Sequence, residues 1–353
     1  MKYVSNVILL PIALLVLSCN KKNKDEIFGE AKNLSLYKNT NFSPTLEHKI
    51  HQDTNAVYCV TLLYAWNEIV DEIGKPWGIN KKDTDLLLLS KSNSFLNALD
   101  QSDYFSNVEV DGTTINASVF FKKSLPFEFK LNSYDKKLKF NDIPVKSFGV
   151  NGWDDEISDL VTMLYYKNDE NFIIKLSPED KNHEIILFKT EAKYNSLIEM
   201  NQSLMSLTDI SMDEKQNWRF NFLNDDILVI PKLNFNIETN FKKIEGKLLN
   251  GFDNQYKIET AYQRIGFVLD ENGAEIESEV EVVVEAIEEI IDREIPKPKK
   301  LIFDKPFYVL LRKKETTNPY FVLWNVNAEL LVEDKKKLLQ IIENETIFIG
   351  EFG

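Results

Sequence analysis

The sequence predicts an α+β protein built on large mixed or antiparallel β-sheets, with few helices beside them. Apolar runs of strand length dominate the chain from residue 115 onward, whereas stretches with helical spacing are few. The two kinds of segment do not alternate, which argues against a fold of repeated β-α-β units. With 353 residues, of which 43% are hydrophobic, the chain can bury a sizeable core and is expected to be neither disordered nor fibrous.

Each predicted element follows from a local pattern. Residues 55–73 repeat apolar side chains at helical spacing, and Gly74-Lys75-Pro76 ends that pattern. Further helices are predicted over residues 86–99 and 195–207. Short apolar runs predict strands at residues 117–121, 172–176, 185–188 and 227–230. Residues 20–53 are polar and are expected to be partly extended.

The charge of the chain excludes one class of partner. The sequence has 56 Asp and Glu residues against 42 Lys and Arg, which gives a formal charge of −14 at pH 7. A surface of that sign repels phosphate backbones and anionic lipid headgroups. Nucleic acid is therefore not expected as a partner.

The first residues resemble a bacterial lipoprotein signal. Lys2 supplies a positive start, residues 7–17 form an apolar run, and Ser18 precedes Cys19. The run is shorter than the ~20 residues that span a bilayer. The resemblance implies a signal peptide over residues 1–18, lipidation of Cys19, a polar tether over residues 19–53 and one domain over residues 54–353.

This interpretation places the protein in a cell envelope, at the outer membrane or cell surface, where it contacts the membrane through lipidated Cys19. An ordinary signal peptide cut elsewhere and an uncleaved anchor are the alternatives. Cys59 is the only other cysteine, so lipidation of Cys19 leaves no pair for an intramolecular disulfide.

Residues that could carry catalysis or bind a metal are scarce. The three histidines are His48, His51 and His183, and the sequence has no phosphate loop, nucleophile elbow or Cys-x-x-Cys motif. His48 and His51 could share a helical face, but no second ligand pair accompanies them, so both are interpreted as surface residues. Cys59 lies in an apolar run and is interpreted as a buried side chain. We expect no enzyme activity, no metal and no cofactor.

The segment from residue 265 to residue 307 is the most informative. Residues 265–269 read as a strand and residues 270–273 as a turn. Small or apolar residues then alternate with glutamates, and only Ser278 and Val283 interrupt this period of two. An ordinary edge strand with outward glutamates is one interpretation.

The second interpretation is that the chain resembles the serpin family. Residues 270–275, Asp-Glu-Asn-Gly-Ala-Glu, resemble the hinge that begins a serpin reactive-centre loop, and residues 263–269 stand where the family has the fifth strand of sheet A. Other segments match in the family's order: Asn116-Ala117 through Lys122 with Pro126-Phe127, then 164–178, 229–235 with its Pro-Lys, 303–312 with its Pro-Phe, and 319–327. The matches cover roughly residues 115–327.

The departures from the family pattern are also clear. The chain between residues 73 and 117 is much shorter than in serpins, which implies a reduced N-terminal third. Cys59-Val60 stands where the family has Ser-Pro, and Leu323 replaces a glycine of the closing strand. The loop from Gly273 to Phe307 is longer than usual.

The resemblance implies a serpin-like α+β fold with an exposed reactive-centre-like loop over residues 271–300. In serpins a protease cleaves this loop and is trapped as an acyl-enzyme while the loop inserts into a sheet. The family's count places the cut bond at Ile287-Glu288, with a cut at Arg293-Glu294 as the alternative for a trypsin-like enzyme. The resemblance also implies a hinge made of Glu271, Gly273, Ala274, Ile276, Ser278 and Val280, and an ion pair between Lys232 and Glu271.

Two functions compete at this point. The first is an envelope-anchored inhibitor of serine, or cysteine, proteases whose partner is an unidentified target protease. The second is a non-inhibitory, serpin-like binding or structural lipoprotein. Ile276 bears on the choice, because inhibitory serpins carry small residues near the hinge and added volume resists close packing.

Overall fold

A computed structural model describes residues 28–111, 114–153, 155–211, 217–252, 254–274 and 297–334. The described residues form an α+β arrangement with large multi-stranded sheets and few helices, so the predicted fold class is confirmed. The predicted signal peptide, Cys19 and the loop from residue 275 to residue 296 lie outside the described residues.

The first half of the described chain contains these elements, in order: β1 (Lys32–Asn33), β2 (Thr40–Phe42), β3 (Asn55–Cys59), α1 (Thr61–Ile73), α2 (Thr84–Leu89), β4 (Tyr104–Asp111), β5 (Thr114–Phe121), β6 (Leu125–Pro126), β7 (Asn132–Phe140), β8 (Ile143–Asn151), α3 (Asp155–Leu160), β9 (Val161–Asn168) and β10 (Asn171–Leu176).

The second half continues with β11 (His183–Lys189), α4 (Leu197–Thr208), β12 (Ile227–Pro231), β13 (Leu233–Asn240), β14 (Leu248–Asn250), β15 (Gln255–Ile258), β16 (Tyr262–Leu269), β17 (Gly273–Ala274), β18 (Lys300–Ile302), β19 (Phe307–Lys313) and β20 (Phe321–Asn325).

A seven-stranded sheet forms the centre of the molecule, in the order β2-β3-β20-β19-β11-β10-β9. Its inner strands are continuous apolar runs, and residues 185–188 are buried on both faces of the sheet. Such runs suit strands that are covered on both sides. The hydrophobic core is therefore organised around this sheet.

Three smaller sheets position the region of functional interest. One has the order β18-β12-β8-β7, a second the order β1-β13-β16, and a third the order β14-β15-β5-β4. Strands β17 and β6 form a separate two-stranded ladder. The second and third sheets border the groove described below, through the edges of β16 and β5 respectively.

The predicted helix over residues 55–73 is wrong in its first part. Residues Asn55–Cys59 form strand β3, and the helix begins only at Thr61. A continuous apolar run does not distinguish a buried strand from a helix, and all five residues of β3 are buried between β2 and β20. The helix ends at Gly74, whose φ of +76° suits a residue without a side chain.

The other helix predictions meet different outcomes. The helix predicted over residues 86–99 is only Thr84–Leu89, because the chain turns at Ser90. The helix predicted over 195–207 is confirmed as Leu197–Thr208, where the Ser196 hydroxyl accepts a hydrogen bond from the backbone N–H of Glu199.

The predicted tether over residues 19–53 is too long. Phe42, Leu46 and Ile50 are buried in the core, and β2 pairs in parallel with β3. Hydrophobic burial therefore ties residues 40–50 to the rest of the fold. In the part of the chain that the structure describes, no helix has the length and apolar character needed to cross a membrane.

Candidate functional site

A groove separates strand β5 from strand β16. Among the described residues, β16 pairs with β13 alone, and β5 pairs along its length with β4 but touches β15 only at Thr114 and Ile115. Each strand therefore presents an unpaired edge to the groove. The groove has a volume of ≈ 890 Å³, which is space that an extended segment can enter.

The groove has an apolar floor and a mixed rim. Helix α1 contributes Leu62, Ala65 and Trp66 to the floor. Along β16 the burial alternates, so that Gln263, Ile265 and Phe267 face inward while Tyr262, Arg264 and Gly266 face outward. The outward face of β4 and β5 carries the cross-strand pair Phe105 and Phe120, which are 67% and 65% exposed.

The chain leaves β16 through a tight turn at one end of this groove. The backbone groups of Asp270 and Gly273 bond each other in both directions, at 3.1 and 3.2 Å between N and O. The Asp270 side chain accepts a hydrogen bond from the backbone N–H of Asn272 at 2.8 Å. These bonds make residues 270–273 a two-residue hairpin turn that sends the chain back along β16.

Gly273 cannot be replaced easily at this turn. Its φ is +120°, and a Cβ placed on it would lie 2.5 Å from the backbone oxygen of Leu125 and 2.7 Å from the backbone nitrogen of Phe127. Only a residue without a side chain allows the two backbones to come this close. This close approach of two backbones explains why a glycine occupies this position of the predicted hinge.

The next residue begins a new ladder. Ala274 pairs with Leu125 and Gly273 pairs with Pro126, in antiparallel register. Ala274 is buried. Strand β6 begins four residues after the end of β5 and continues it along the chain. Ala274 therefore already lies between β6 on one side and the end of β16 on the other.

The predicted hinge residues Lys232 and Glu271 lie together. Lys232 Nζ forms an ion pair with Glu271 Oε2, and both side chains are largely shielded from water. The backbone of Glu271 is held as well, because its carbonyl accepts a hydrogen bond from Leu131 N at 2.8 Å. The pair connects the turn to the start of β13.

The far end of the loop is fixed by a contact that the sequence did not predict. Lys299 Nζ lies 2.8 Å from Asp226 Oδ2, and both side chains are fully buried. The backbone N–H of Lys299 also donates to Asp226 Oδ1 at 2.6 Å. The Lys299 ammonium lies 5.1 Å from the ring centre of Trp218 and 5.7 Å from that of Tyr166. This cluster anchors the chain directly before β18.

The histidines do not form a site. His51 is exposed, as predicted, but His48 is largely buried: its Nδ1 bonds Thr45, and burial lowers its pKa despite the nearby carboxylate of Asp85. His183 is buried, and its Nδ1 lies 3.1 Å from the Tyr320 hydroxyl. The prediction of surface residues is therefore wrong for His48, because the segment around it packs into the core.

The other residues considered for chemistry behave as structural groups. Cys59 is buried, and burial raises the pKa of its thiol. Within the described residues no three His, Cys, Asp or Glu side chains come together as a metal site. The remaining predicted loop positions lie outside the described residues: Ile276, Ser278, Val280, Ile287, Glu288, Arg293 and Glu294.

Comparison with known proteins returns no matching family model and no matching curated protein. Among solved structures, the chain is similar to the crystal structure of Serpin48, described as a highly specific serpin in the insect Tenebrio molitor, with a TM-score of 0.35. It is also similar to thyroxine-binding globulin in complex with thyroxine, with a TM-score of 0.36. Each is 12% identical, and each alignment covers 61% of this chain and 56% of the other. The matched region thus spans a little over half the length of those proteins.

Proposed function

We propose that this protein is an envelope-anchored, serpin-like inhibitor of serine or cysteine proteases, and that it acts by cleavage and insertion of the loop after Ala274. The observation that carries the proposal is the groove between β5 and β16. It offers two unpaired strand edges, and the chain that would fill it enters at one end through a hairpin turn. An unpaired edge is a template for adding a strand.

Two backbone pairings at the start of the loop support this proposal, because each fixes how the loop would align with one border of the groove. The pairing of Asp270 with Gly273 sets the continuation of the loop against β16, and the pairing of Ala274 with Leu125 sets it against β5. If both pairings continue in antiparallel order on insertion, Ser278 would lie between Ile265 and Phe121. The two registers therefore agree on which side chains would face the groove floor.

After insertion, alternate residues of the loop would face the groove floor, and we call these residues the inward row. The inward row would be apolar along most of its length. By the same registers, Val280 would lie between Val119 and Gln263, and Val282 beside Ala117. The free edge of β5 ends at Asn116, opposite residue 283, because Ile115 and Thr114 already pair with β15. A cut at Ile287-Glu288 would leave enough chain to fill the groove from end to end, and the aliphatic side chains of the row would leave water.

The other residues of the inserted strand, which we call the outward row, would face solvent, and two of its glutamates would lie beside basic side chains. Glu277 would lie between Gly266 and Lys122, and Glu279 would lie beside Arg264, both cationic side chains being at the groove. Opposite charges on directly paired residues favour strand pairing. The alternation of glutamates that keeps the free loop in water would thus also suit the inserted strand.

One observation favours the non-inhibitory alternative. The inward position opposite Ile276 belongs to Lys123, whose ammonium lies 2.7 Å from the Asp180 carboxylate. Placing a branched aliphatic side chain between Lys123 and Phe267 requires this ion pair to adjust. Slow insertion at this point would let the protease hydrolyse the acyl bond, and the protein would then act as a substrate or as a binding lipoprotein.

The proposal is tested by mixing the purified protein with serine and cysteine proteases and separating the products under denaturing conditions. A covalent band that combines the protease with the N-terminal part of the chain is the expected result. The matched control is each protease with its catalytic nucleophile replaced by alanine, which must give no band. Cleavage in the loop without a covalent band for every protease would favour the non-inhibitory alternative.

A further inference from the structure

The first described residues cross the sheet that borders the groove. We call residues 28–33 the N-terminal strap. At one end, Lys32 and Asn33 pair in parallel with Ile237 and Glu238, on the edge of β13 that faces away from the groove. At the other end, the ring of Phe28 lies against Gly266 of β16 and forms part of the groove lining. The strap therefore runs from the outer edge of the sheet, across β13, to the groove.

The contact between Phe28 and Gly266 is close. A Cβ added to Gly266 would lie 3.0 and 3.1 Å from two carbons of the Phe28 ring. Gly266 lies on the same face of β16 as Arg264, which is exposed, and Val268, which is buried. The ring thus occupies the space that a side chain at this position of β16 would fill, which only glycine leaves open.

A buried asparagine holds the middle of the strap. Asn236 pairs with Gly266 across the ladder, and its Nδ2 donates to the carbonyl of Gly29 at 2.7 Å. Its Oδ1 accepts from Arg264 Nε at 2.8 Å. Asn236 is buried although it lies on the outward face, because the strap covers it. The strap, Asn236 and the rim residue Arg264 are therefore one hydrogen-bonded unit.

We propose that the N-terminal strap is a brake on strand insertion, an inference that rests on the proposed function. A strand added along the free edge of β16 must place one outward side chain directly opposite Gly266. Paired side chains in an antiparallel ladder lie on the same face about 5 Å apart. The Phe28 ring covers Gly266 and also lines the groove beside it, so the ring has to shift to make room as the new side chain packs there.

The brake is weak enough to be released. Among the described residues, two ladder pairs, one side-chain hydrogen bond and one ring contact hold the strap, whereas β13 and β16 pair with each other over eight positions. Short segments with few contacts open at low cost compared with the whole fold. Removing the ring is therefore expected to speed insertion without unfolding the protein.

The test measures entry of a synthetic strand, so it needs no protease. A fluorescent peptide with the sequence of residues 274–286 is mixed with the full chain, and its incorporation is followed over time. Phe28→Ala is expected to incorporate the peptide about tenfold faster than the wild type, which corresponds to ~1.4 kcal/mol in the barrier. Leu36→Ala is the matched control, because Leu36 is an apolar residue near the strap that is 72% exposed.

A second variant reaches the same contact from the other side. Gly266→Ala keeps Phe28 but introduces a Cβ that displaces the Phe28 ring, so this variant should also incorporate the peptide faster than the wild type. The double variant should be no faster than Phe28→Ala alone, because the ring is already absent. Equal rates of peptide incorporation in the wild type, Phe28→Ala and Gly266→Ala would show that the strap does not slow insertion, and would leave the insertion mechanism itself unaffected. Absence of incorporation in every variant would overturn both the brake and the proposed function.

Discussion

At the scale of single residues, the hinge depends on side chains that are small or precisely paired. Gly273 permits the close approach of two backbones, and Ala274 occupies a buried position between β6 and β16. Added bulk at Gly273 would meet the backbone of β6, and an unpaired charge at Ala274 would be buried at a cost.

Ala274→Arg is expected to abolish covalent complex formation. Ala274 already pairs with Leu125 and is buried, so an arginine there must either be desolvated, which is costly for an unpaired charge, or hold the start of the loop out of the groove. The measurement is the yield of covalent complex with a protease that wild type traps. Circular dichroism verifies that the variant is folded, and a folded variant with unchanged yield would contradict insertion from this hinge.

Lys232 and Glu271 are expected to be energetically coupled. Their ion pair is largely shielded from water, so each single replacement leaves a charge without its partner. A double-mutant cycle with Lys232→Met and Glu271→Gln should give a coupling free energy of about 1–2 kcal/mol in chemical denaturation. Strictly additive effects would mean that the pair does not stabilise the turn.

At the scale of elements, strand β18 depends on the buried cluster that precedes it. It has only three residues and pairs with β12 alone among the described strands, so its ladder is a weak anchor. The Lys299–Asp226 pair supplies the fixed point. This matters for the proposed function, because the segment after the cut must stay in place while the segment before it moves.

Lys299→Met is expected to lower the free energy of unfolding by about 3–5 kcal/mol, since it leaves the Asp226 carboxylate buried and unpaired. The double variant Lys299→Met with Asp226→Leu should recover much of that loss, because it removes both charges. Denaturant titration measures both values. Equal stability of the wild type and Lys299→Met would show that the pair contributes nothing to anchoring β18.

The local elements were the parts that sequence patterns could predict. The strand within Tyr262–Leu269 and the turn at residues 270–273 follow from alternation and from turn residues within a few positions of each other. Strand β3 was mistaken for helix because its apolar run continues directly into α1. Periodicity does not separate the two when both faces are buried.

The groove and its two anchors could not be predicted in the same way. The groove exists because β5 and β16, far apart in sequence, end up side by side without pairing. Lys299 and Asp226 are 73 positions apart, and Phe28 meets Gly266 across most of the chain. These contacts depend on tertiary packing, so no local pattern records them.

At the scale of the whole molecule, the proposed mechanism gives the chain two arrangements, with the loop free or with the loop inserted as a strand. The position of the cut decides whether insertion traps the protease. The free edge of β5 ends opposite residue 283, because β15 already pairs with Ile115 and Thr114, so a cut at Ile287 leaves about four residues between the inserted strand and the acyl bond. A cut at Arg293 leaves six more residues before the acyl bond. Extra length delays the pull on the bound protease and gives deacylation more time.

A cut at Ile287-Glu288 is therefore expected to give covalent complex, and a cut at Arg293-Glu294 to give turnover. Mass spectrometry of the released C-terminal fragment identifies the bond, and an elastase-like enzyme and a trypsin-like enzyme serve as the matched pair. A stable complex whose released fragment begins at Glu294 would reverse this assignment.

The central claim is that the cleaved loop becomes a strand between β5 and β16, and thermal unfolding of the intact and the cleaved protein tests it most directly. Insertion would bury several aliphatic side chains worth ~1.5–3 kcal/mol each and would pair two free edges. At ~2–4 °C per kcal/mol, the unfolding midpoint of the cleaved chain is predicted to rise by roughly 10–20 °C. A midpoint that is unchanged or lower after complete cleavage in the loop would contradict the account.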